Sequence, residues 1–218
     1  GKAATNLALV GKQEGTNFAN SILVGHTTTG TLNNATNNTG VGITALDALT
    51  SGDYNNALGY GALTRVANGG YNVGIGRNSM STLVGGNFNT TVGDLSGNLV
   101  TGSNNTLYGA FAGDNISSGD GNVVIGGVDV DTATGDRQLK IAGYDGSTTT
   151  TWISGDSNGQ VKLTSGYIAE VALTDASTIT WNAATQPVAK VTLGANRILG
   201  LPSNPVNGQF ISLLIIQD

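Results

Sequence analysis

The 218-residue sequence contains no cysteine, so disulfides and thiol chemistry are excluded and the redox compartment is left open. Long apolar runs are also missing. The longest extends from Phe210 to Ile216 and includes Ser212, which is far short of the ~20 residues that a membrane-spanning helix needs. We therefore expect no insertion into a membrane.

Charge and proline are scarce as well. Charged residues make up 11% of the chain, against roughly 25% in typical globular proteins, and the basic ones are scattered singly. With a net charge of −5, the chain lacks the dense basic face that nucleic acid requires. The three prolines and the absence of a Gly-X-Y register exclude collagen. The regularly placed hydrophobic residues, 39% of the chain, argue against disorder.

Glycine is abundant, and in the first half it recurs at a nearly fixed interval of 17 residues, with one interval of 16. An apolar residue directly precedes each of these glycines, and in most repeats an asparagine stands four positions before it. A fixed period of this length predicts a stack of equivalent structural units. The glycines are Gly25, Gly42, Gly59, Gly76, Gly93, Gly109 and Gly126, and the asparagines are Asn38, Asn55, Asn72, Asn89, Asn105 and Asn122.

One repeat, such as residues 55–71, is too short for two helices with their turns, and each glycine would destabilise a helix by ~1 kcal/mol relative to alanine. The pair Asn68-Gly69 is typical of tight turns, because both residues tolerate positive φ. We therefore expect two or three very short strands per repeat. Small residues three positions after the glycine and apolar residues seven positions after it are expected to point inward. They are Ala45, Ala62, Ser79, Ser96 and Ala112, and Leu49, Val66, Leu83, Val100 and Ile116.

Each repeat carries few apolar side chains, too few for a single unit to be stable. Stacking of successive coils buries part of each unit, and association of several chains around one axis buries more. We therefore expect an obligate oligomer in which Leu58 and Ile75 lie near that axis. The asparagines are expected to stack in hydrogen-bonded ladders that satisfy turn backbone groups, and this role is preferred over ligand binding.

The segment from Asn55 to Leu63, which reads NNALGYGAL, resembles the repeats of phage tail-fibre proteins. It is also similar to the β-roll head repeats of trimeric autotransporter adhesins, which recur about every 14 residues, and the interval from Gly11 to Gly25 has that length. The resemblance covers about residues 3–128. Residues 133–141 look like the segment that often ends such arrays in phage fibres, and residues 191–199 and 202–218 resemble a β-domain of tail and fibre proteins.

The resemblance implies a homotrimer with a left-handed parallel β-roll shaft and a role in host attachment. The 17-residue form favours a virus fibre over a bacterial adhesin. A bacterial trimeric surface adhesin and a tailspike-like polysaccharide depolymerase are the alternatives.

The 17-residue period ends after Gly127. From Arg137 onward short segments alternate between apolar and polar residues and are separated by turn-rich connectors, which is typical of antiparallel β structure. We expect a repeat shaft over 1–128, a β transition segment over 129–165 and a small antiparallel β-domain over 166–218 that is truncated at its end. The stretch from Phe210 to Ile216 is apolar on both faces, so it is expected to be buried or shared between chains.

Candidate binding residues are few. Asp129, Asp131 and Asp136 supply oxygen ligands suited to calcium, but they lack EF-hand spacing, and solvated turn acids are the preferred interpretation. His26, the only histidine, would be needed for a Ser-His-Asp triad, but no nucleophile elbow is present in the sequence. We therefore expect His26 to be an exposed loop residue. Aromatic rings that could face a sugar are Trp152, Trp181, Tyr144 and Tyr167, of which Trp181 is expected in the core and Trp152 at the surface.

The sequence therefore predicts an all-β protein with an elongated trimeric parallel β-roll or β-solenoid shaft followed by a small antiparallel β-domain. We expect a non-enzymatic, extracellular segment of a virus tail fibre, with no catalytic residue, cofactor or metal. Its expected partners are two further copies of itself, other virion tail proteins and a host cell-surface glycan or protein. The chain is expected to be a fragment of a longer protein, because it starts in repeat-like sequence without Met.

Overall fold

The computed structural model describes residues 10–163, 170–207 and 210–217. These residues form strands and no helix, and so none that is long and apolar enough to cross a membrane. The chain divides into two units, Gly1–Thr164 and Ser165–Asp218. The strands of the first unit are β1 Gly11–Gln13, β2 Ile22–Val24, β3 Thr39–Val41, β4 Asn56–Leu58, β5 Val73–Ile75, β6 Thr90–Val92, β7 Thr106–Tyr108, β8 Val123–Ile125, β9 Leu139–Tyr144, β10 Thr149–Gly155 and β11 Val161–Leu163.

The first unit is a β-solenoid. Strands β2 to β9 pair in parallel in their sequence order, so that Thr39 lies beside Asn56 and Asn56 beside Val73. Strand β1 joins the sheet antiparallel to β2. Because each coil returns to the same place in the sheet, equivalent residues of successive repeats stack in columns along the solenoid.

The core of the solenoid is a set of such columns. The ten residues that were expected to point inward, three and seven positions after Gly42, Gly59, Gly76, Gly93 and Gly109, are all buried, with exposures of 0%. The residue four positions after the glycine adds Leu46, Leu63 and Met80, and the middle residue of the strand adds Leu107 and Val124, each also at 0%. The prediction of inward positions from the repeat is therefore confirmed.

Each coil has one strand, so the expectation of two or three strands is wrong. The segment after the glycine makes hydrogen bonds to the next coil, such as Leu46 N–H to the Ala62 carbonyl at 3.2 Å and Leu63 N–H to Ser79 at 3.0 Å. However, Leu46, Leu63 and Met80 have φ values of 59°, 51° and 49°. These left-handed conformations lie outside the β region and interrupt any strand.

The asparagines form the expected ladder inside the solenoid. Asn55 donates its Nδ2 hydrogens to Asn38 Oδ1 at 3.1 Å and to the Gly69 carbonyl at 2.8 Å, and its backbone N–H also reaches Asn38 Oδ1 at 2.9 Å. The same three bonds recur at Asn72, Asn89, Asn105 and Asn122. All six asparagines are 0% exposed, so their role is structural and a ligand cannot reach them.

The stack extends one coil beyond residue 128, into the region where the sequence analysis placed a transition segment. Strand β9 pairs in parallel with β8, with Val123 beside Leu139 and Ile125 beside Ile141. Gln138 takes the ladder position, and its backbone N–H donates to Asn122 Oδ1 at 2.9 Å. The period is lost in the sequence because Gln138 replaces asparagine and Ala142 stands at the position of the glycine, while the pairing of the coil continues.

Two hairpins then close the sheet. Strand β10 pairs antiparallel with both β9 and β11. The connectors include Asp145-Gly146-Ser147 and residues 156–159, in the region where the sequence predicted turn-rich connectors. Asp145 Oδ1 accepts the N–H groups of Ser147 at 2.9 Å and Thr148 at 2.8 Å, and these backbone bonds lower the pKa of Asp145.

The second unit contains β12 Val171–Ala172, β13 Thr178–Ile179, β14 Val188–Leu193, β15 Ile198–Leu199 and β16 Ser212–Gln217. Its described strands pair in parallel, in two sheets of order β12-β14-β16 and β13-β15. The expected antiparallel pairing over 166–218 is therefore wrong. Consecutive strands belong to different sheets. When the chain returns to a sheet, the strand that it adds runs parallel to the previous strand of that sheet. Apolar–polar alternation reports half-burial of a strand and carries no information about that direction.

The burial of residues in the second unit confirms one expectation and contradicts another. Trp181 is 8% exposed, and Ile179 and Val191 of the same unit are also buried, so its assignment to the core is confirmed. Strand β16, in contrast, is an edge strand with Leu214 50% exposed, and Phe210 before it is 97% exposed. Burial of this stretch within the chain is therefore wrong, since every residue of β16 except Leu213 is exposed. Sharing between chains stays a prediction.

Candidate functional site

A groove in the first unit lies where the last coil meets the β9–β10 hairpin. Its volume is about 770 Å³. Phe111 contributes from the coil that follows β7, residues 127–131 contribute from the coil after β8, and Tyr144 and Thr149 contribute from the two ends of the hairpin turn. The stacking of coils thus brings together residues that are far apart in the sequence.

Two aromatic rings border this groove. Phe111 is 47% exposed and Tyr144 is 57% exposed. Phe111 has a φ of 59°, and its N–H donates to the Asp94 carbonyl at 2.8 Å, which fixes the backbone from which the ring projects. Tyr144 is the last residue of β9. Both rings therefore project from hydrogen-bonded backbone positions of the solenoid.

The carboxyl groups of Asp114 and Asp129 both line the groove. Partial burial, a hydrogen bond with Asp129 and repulsion by its charge raise the pKa of Asp114 to about 6. The Asn115 N–H donates to Asp129 Oδ1 at 3.3 Å.

The three aspartates considered for calcium are held separately. Asp129 contacts Asp114, Asp131 Oδ1 pairs with Lys140 Nζ at 2.8 Å, and Asp136 Oδ1 accepts the Asp120 N–H at 2.9 Å. Within the described residues, no group of three or more acidic, histidine or cysteine side chains is arranged to hold a metal ion. The structure does not bring these three residues together.

A second, smaller groove of about 320 Å³ adjoins Tyr144 on the hairpin. Trp152 borders it with 55% exposure, as expected from the sequence. A Cβ atom on Gly143 would lie 2.7 Å from the Trp152 ring, so glycine at this position allows the indole to lie over the backbone of β9. Asp145, Thr148 and Thr150 provide the polar lining.

His26 is not the exposed loop residue that we expected, because its side chain is only 10% exposed. Its Nε2 lies 2.7 Å from the Ala45 carbonyl oxygen and its Nδ1 lies 3.0 Å from Thr28 Oγ1. The Thr28 hydroxyl also contacts the carboxylate of Asp47. These contacts bind the segment after β2 to the next coil, and the imidazole fills the space between them.

Phe111 and Asp114 were not recognised from the sequence as groove residues, because their partners lie in the next coil and in the hairpin. An aromatic column five positions before the glycine was not recognised either. Tyr54, Tyr71 and Phe88 stack with ring centroids 4.7 and 4.9 Å apart, and aromatic residues recurring at the repeat interval were the available signal. Tyr167 lies outside the described residues.

Comparison with known protein-family models, curated proteins and solved structures found no match for this chain.

Proposed function

We propose that the chain is a segment of a virus tail fibre, a non-enzymatic homotrimer on the virion that attaches the particle to a host cell. The observation that carries this proposal is an apolar column on the outer face of the solenoid sheet. The residue before each repeat glycine is the last residue of a strand and points away from the core. Leu58 is 50% exposed, Ile75 37%, Tyr108 55% and Ile125 46%.

This column supports association of identical chains. Monomeric proteins rarely expose continuous apolar patches of large area, whereas a sister copy would cover this column with its own. The parallel strands lie ~4.8 Å apart, so the column continues without a gap from β2 to β8. Because each chain carries the same column, three chains can meet around one axis along the length of the solenoid.

Trimerisation suits attachment for a physical reason. Three identical chains present three copies of any binding surface, and the second and third contacts form at a high effective concentration. Weak individual contacts with host glycans then hold a particle firmly. The remaining expected partners are other tail proteins of the virion and a host cell-surface glycan or protein.

The oligomer can be tested with matched aspartate substitutions. Light scattering is expected to give three times 21.9 kDa for the wild type and a loss of assembly for Leu58→Asp and Ile75→Asp, because charges would be buried near the axis without partners. Leu99→Asp is the control, since Leu99 is an equally exposed leucine, at 49%, on a different side of the coil. A folded wild-type monomer, or a trimeric Leu58→Asp variant, would contradict the proposal.

A further inference from the structure

Three exposed aromatic rings lie around the β9–β10 hairpin, at the end of the solenoid. Phe111 and Tyr144 border the larger groove, and Tyr144 and Trp152 border the smaller one. We propose that these two grooves form one saccharide-binding surface that accepts neutral or amino sugars and rejects acidic ones. The inference rests on the proposed function in attachment and assigns the residues of its binding surface.

The size and composition of the surface fit an oligosaccharide. Ligand sites typically have volumes of about 300–1,000 Å³ and combine apolar or aromatic walls with a few polar groups, and the two grooves measure about 770 and 320 Å³. Since both include Tyr144, one ligand can run from the first groove to the second. Aromatic rings supply the flat apolar surface on which the apolar face of a sugar ring packs.

The rings have no structural partner of the kind found elsewhere in the solenoid. In the column of Tyr54, Tyr71 and Phe88, the rings stack on one another. Each stacked face is therefore covered by the neighbouring ring. No such ring stacking involves the hairpin aromatics within the described residues, and Phe111, Tyr144 and Trp152 are each about half exposed, at 47%, 57% and 55%. The exposed part of each ring is thus open to a ligand.

The charge of the surface selects among sugars. Asp114, Asp129 and Asp131 line the larger groove and Asp145 lines the smaller one. Lys140 is paired with Asp131, so it neutralises a single carboxylate. Carboxylate oxygens accept hydrogen bonds from sugar hydroxyls and attract ammonium groups, whereas they repel the carboxylates and sulfates of acidic glycans.

The threonines of the hairpin add neutral hydrogen-bonding groups. Thr149 borders the larger groove, and Thr148 and Thr150 border the smaller one. A hydroxyl group both donates and accepts hydrogen bonds, so it complements the hydroxyls of a sugar in either orientation. Pairing of β10 with β9 holds Thr149 and Thr150 in fixed register, and Thr148 lies in the turn that joins the two strands.

The test is a glycan array that carries neutral, amino-bearing and acidic oligosaccharides, followed by titration of the bound glycans by tryptophan fluorescence. We expect the wild type to bind neutral or amino glycans. Tyr144→Ala and Phe111→Ala are expected to weaken this binding at least tenfold. Tyr60→Ala should leave it unchanged, because Tyr60 is an equally exposed tyrosine, at 56%, away from the hairpin. The double change Asp114→Asn with Asp129→Asn is expected to admit acidic glycans.

Three results would overturn this inference: binding of acidic glycans alone, equal binding by wild type and Tyr144→Ala, or no binding to the array. Adhesion of the fluorescently labelled protein to a panel of bacterial cells, measured in parallel, separates this inference from the proposed function. If the wild type and Tyr144→Ala adhere equally well, the grooves are not the attachment surface although attachment itself stands. If the wild type adheres to no cell and is monomeric, the proposed function fails as well.

Discussion

At the scale of single residues, the repeat tolerates backbone conformations that most side chains avoid. Tyr54, Tyr71 and Phe88 have φ values of 58°, 60° and 59°, and left-handed geometry costs a residue with a Cβ roughly 1–2 kcal/mol. Asn37 and Asn104 occupy the same position in neighbouring coils, where asparagine adopts it more readily. Stacking of the three rings offsets the strain, so the aromatic column is maintained by neighbouring coils rather than by local preference.

The asparagine ladder is the residue-scale feature with the largest expected effect on stability. Replacing Asn72 with Ala removes the acceptor for two N–H groups of Asn89 and the donor to the Gly86 carbonyl. Each buried polar group left without a partner costs ~1–3 kcal/mol, so we expect Asn72→Ala to lower the free energy of unfolding by about 3 kcal/mol or more in urea denaturation. Asn68→Ala, at an exposed asparagine of the same coil, should change it by less than about 0.5 kcal/mol. Similar losses in both variants would refute a special role for the ladder.

At the scale of the element, the coil is the unit of the structure, since coils pair in register with their sequence neighbours. Deleting residues 56–72 joins Asn55 to Val73, keeps the ladder continuous and places Tyr54 beside Phe88. We expect a folded solenoid with unchanged β signal per residue in circular dichroism and a modest loss of stability, as for a repeat protein that loses one unit. Deleting residues 56–64 instead breaks the register, and we expect it to prevent folding. If both deletions unfold the chain, the coils are not equivalent.

The elements also show what the sequence could predict. The 17-residue period identified the inward columns at Ala62 and Val66 and the asparagine ladder, because stacking repeats each local environment. It did not reveal that the segment after the glycine is turn rather than strand, since left-handed φ at Leu63 and Met80 has no sequence signal when the residue is apolar. The strand direction in the second unit was also missed, because apolar–polar alternation carries no information about whether strands pair in parallel or antiparallel.

The candidate site was predictable in part. Tyr144, Trp152 and Asp129 were recognised as candidates from their residue types. Asp114 and Phe111 were not, because only the pairing of coils places them beside Asp129 and Tyr144. Contacts between residues that are separated by a whole coil or a hairpin depend on register, which a single sequence does not specify outside a regular repeat.

At the scale of the whole molecule, the apolar column and the edge strand β16 leave large apolar surfaces uncovered within one chain. If association of chains covers them, stability depends on protein concentration, because subunits that bind the folded state shift the unfolding equilibrium by mass action. We expect the melting temperature of the wild type to rise over a hundredfold increase in concentration, measured by circular dichroism at low concentration and by calorimetry at high concentration. Leu58→Asp should melt at a lower temperature that is independent of concentration, whereas Leu99→Asp should follow the wild type. A constant wild-type melting temperature from a fully reversible transition would mean that a single chain is stable without covering its outer apolar face.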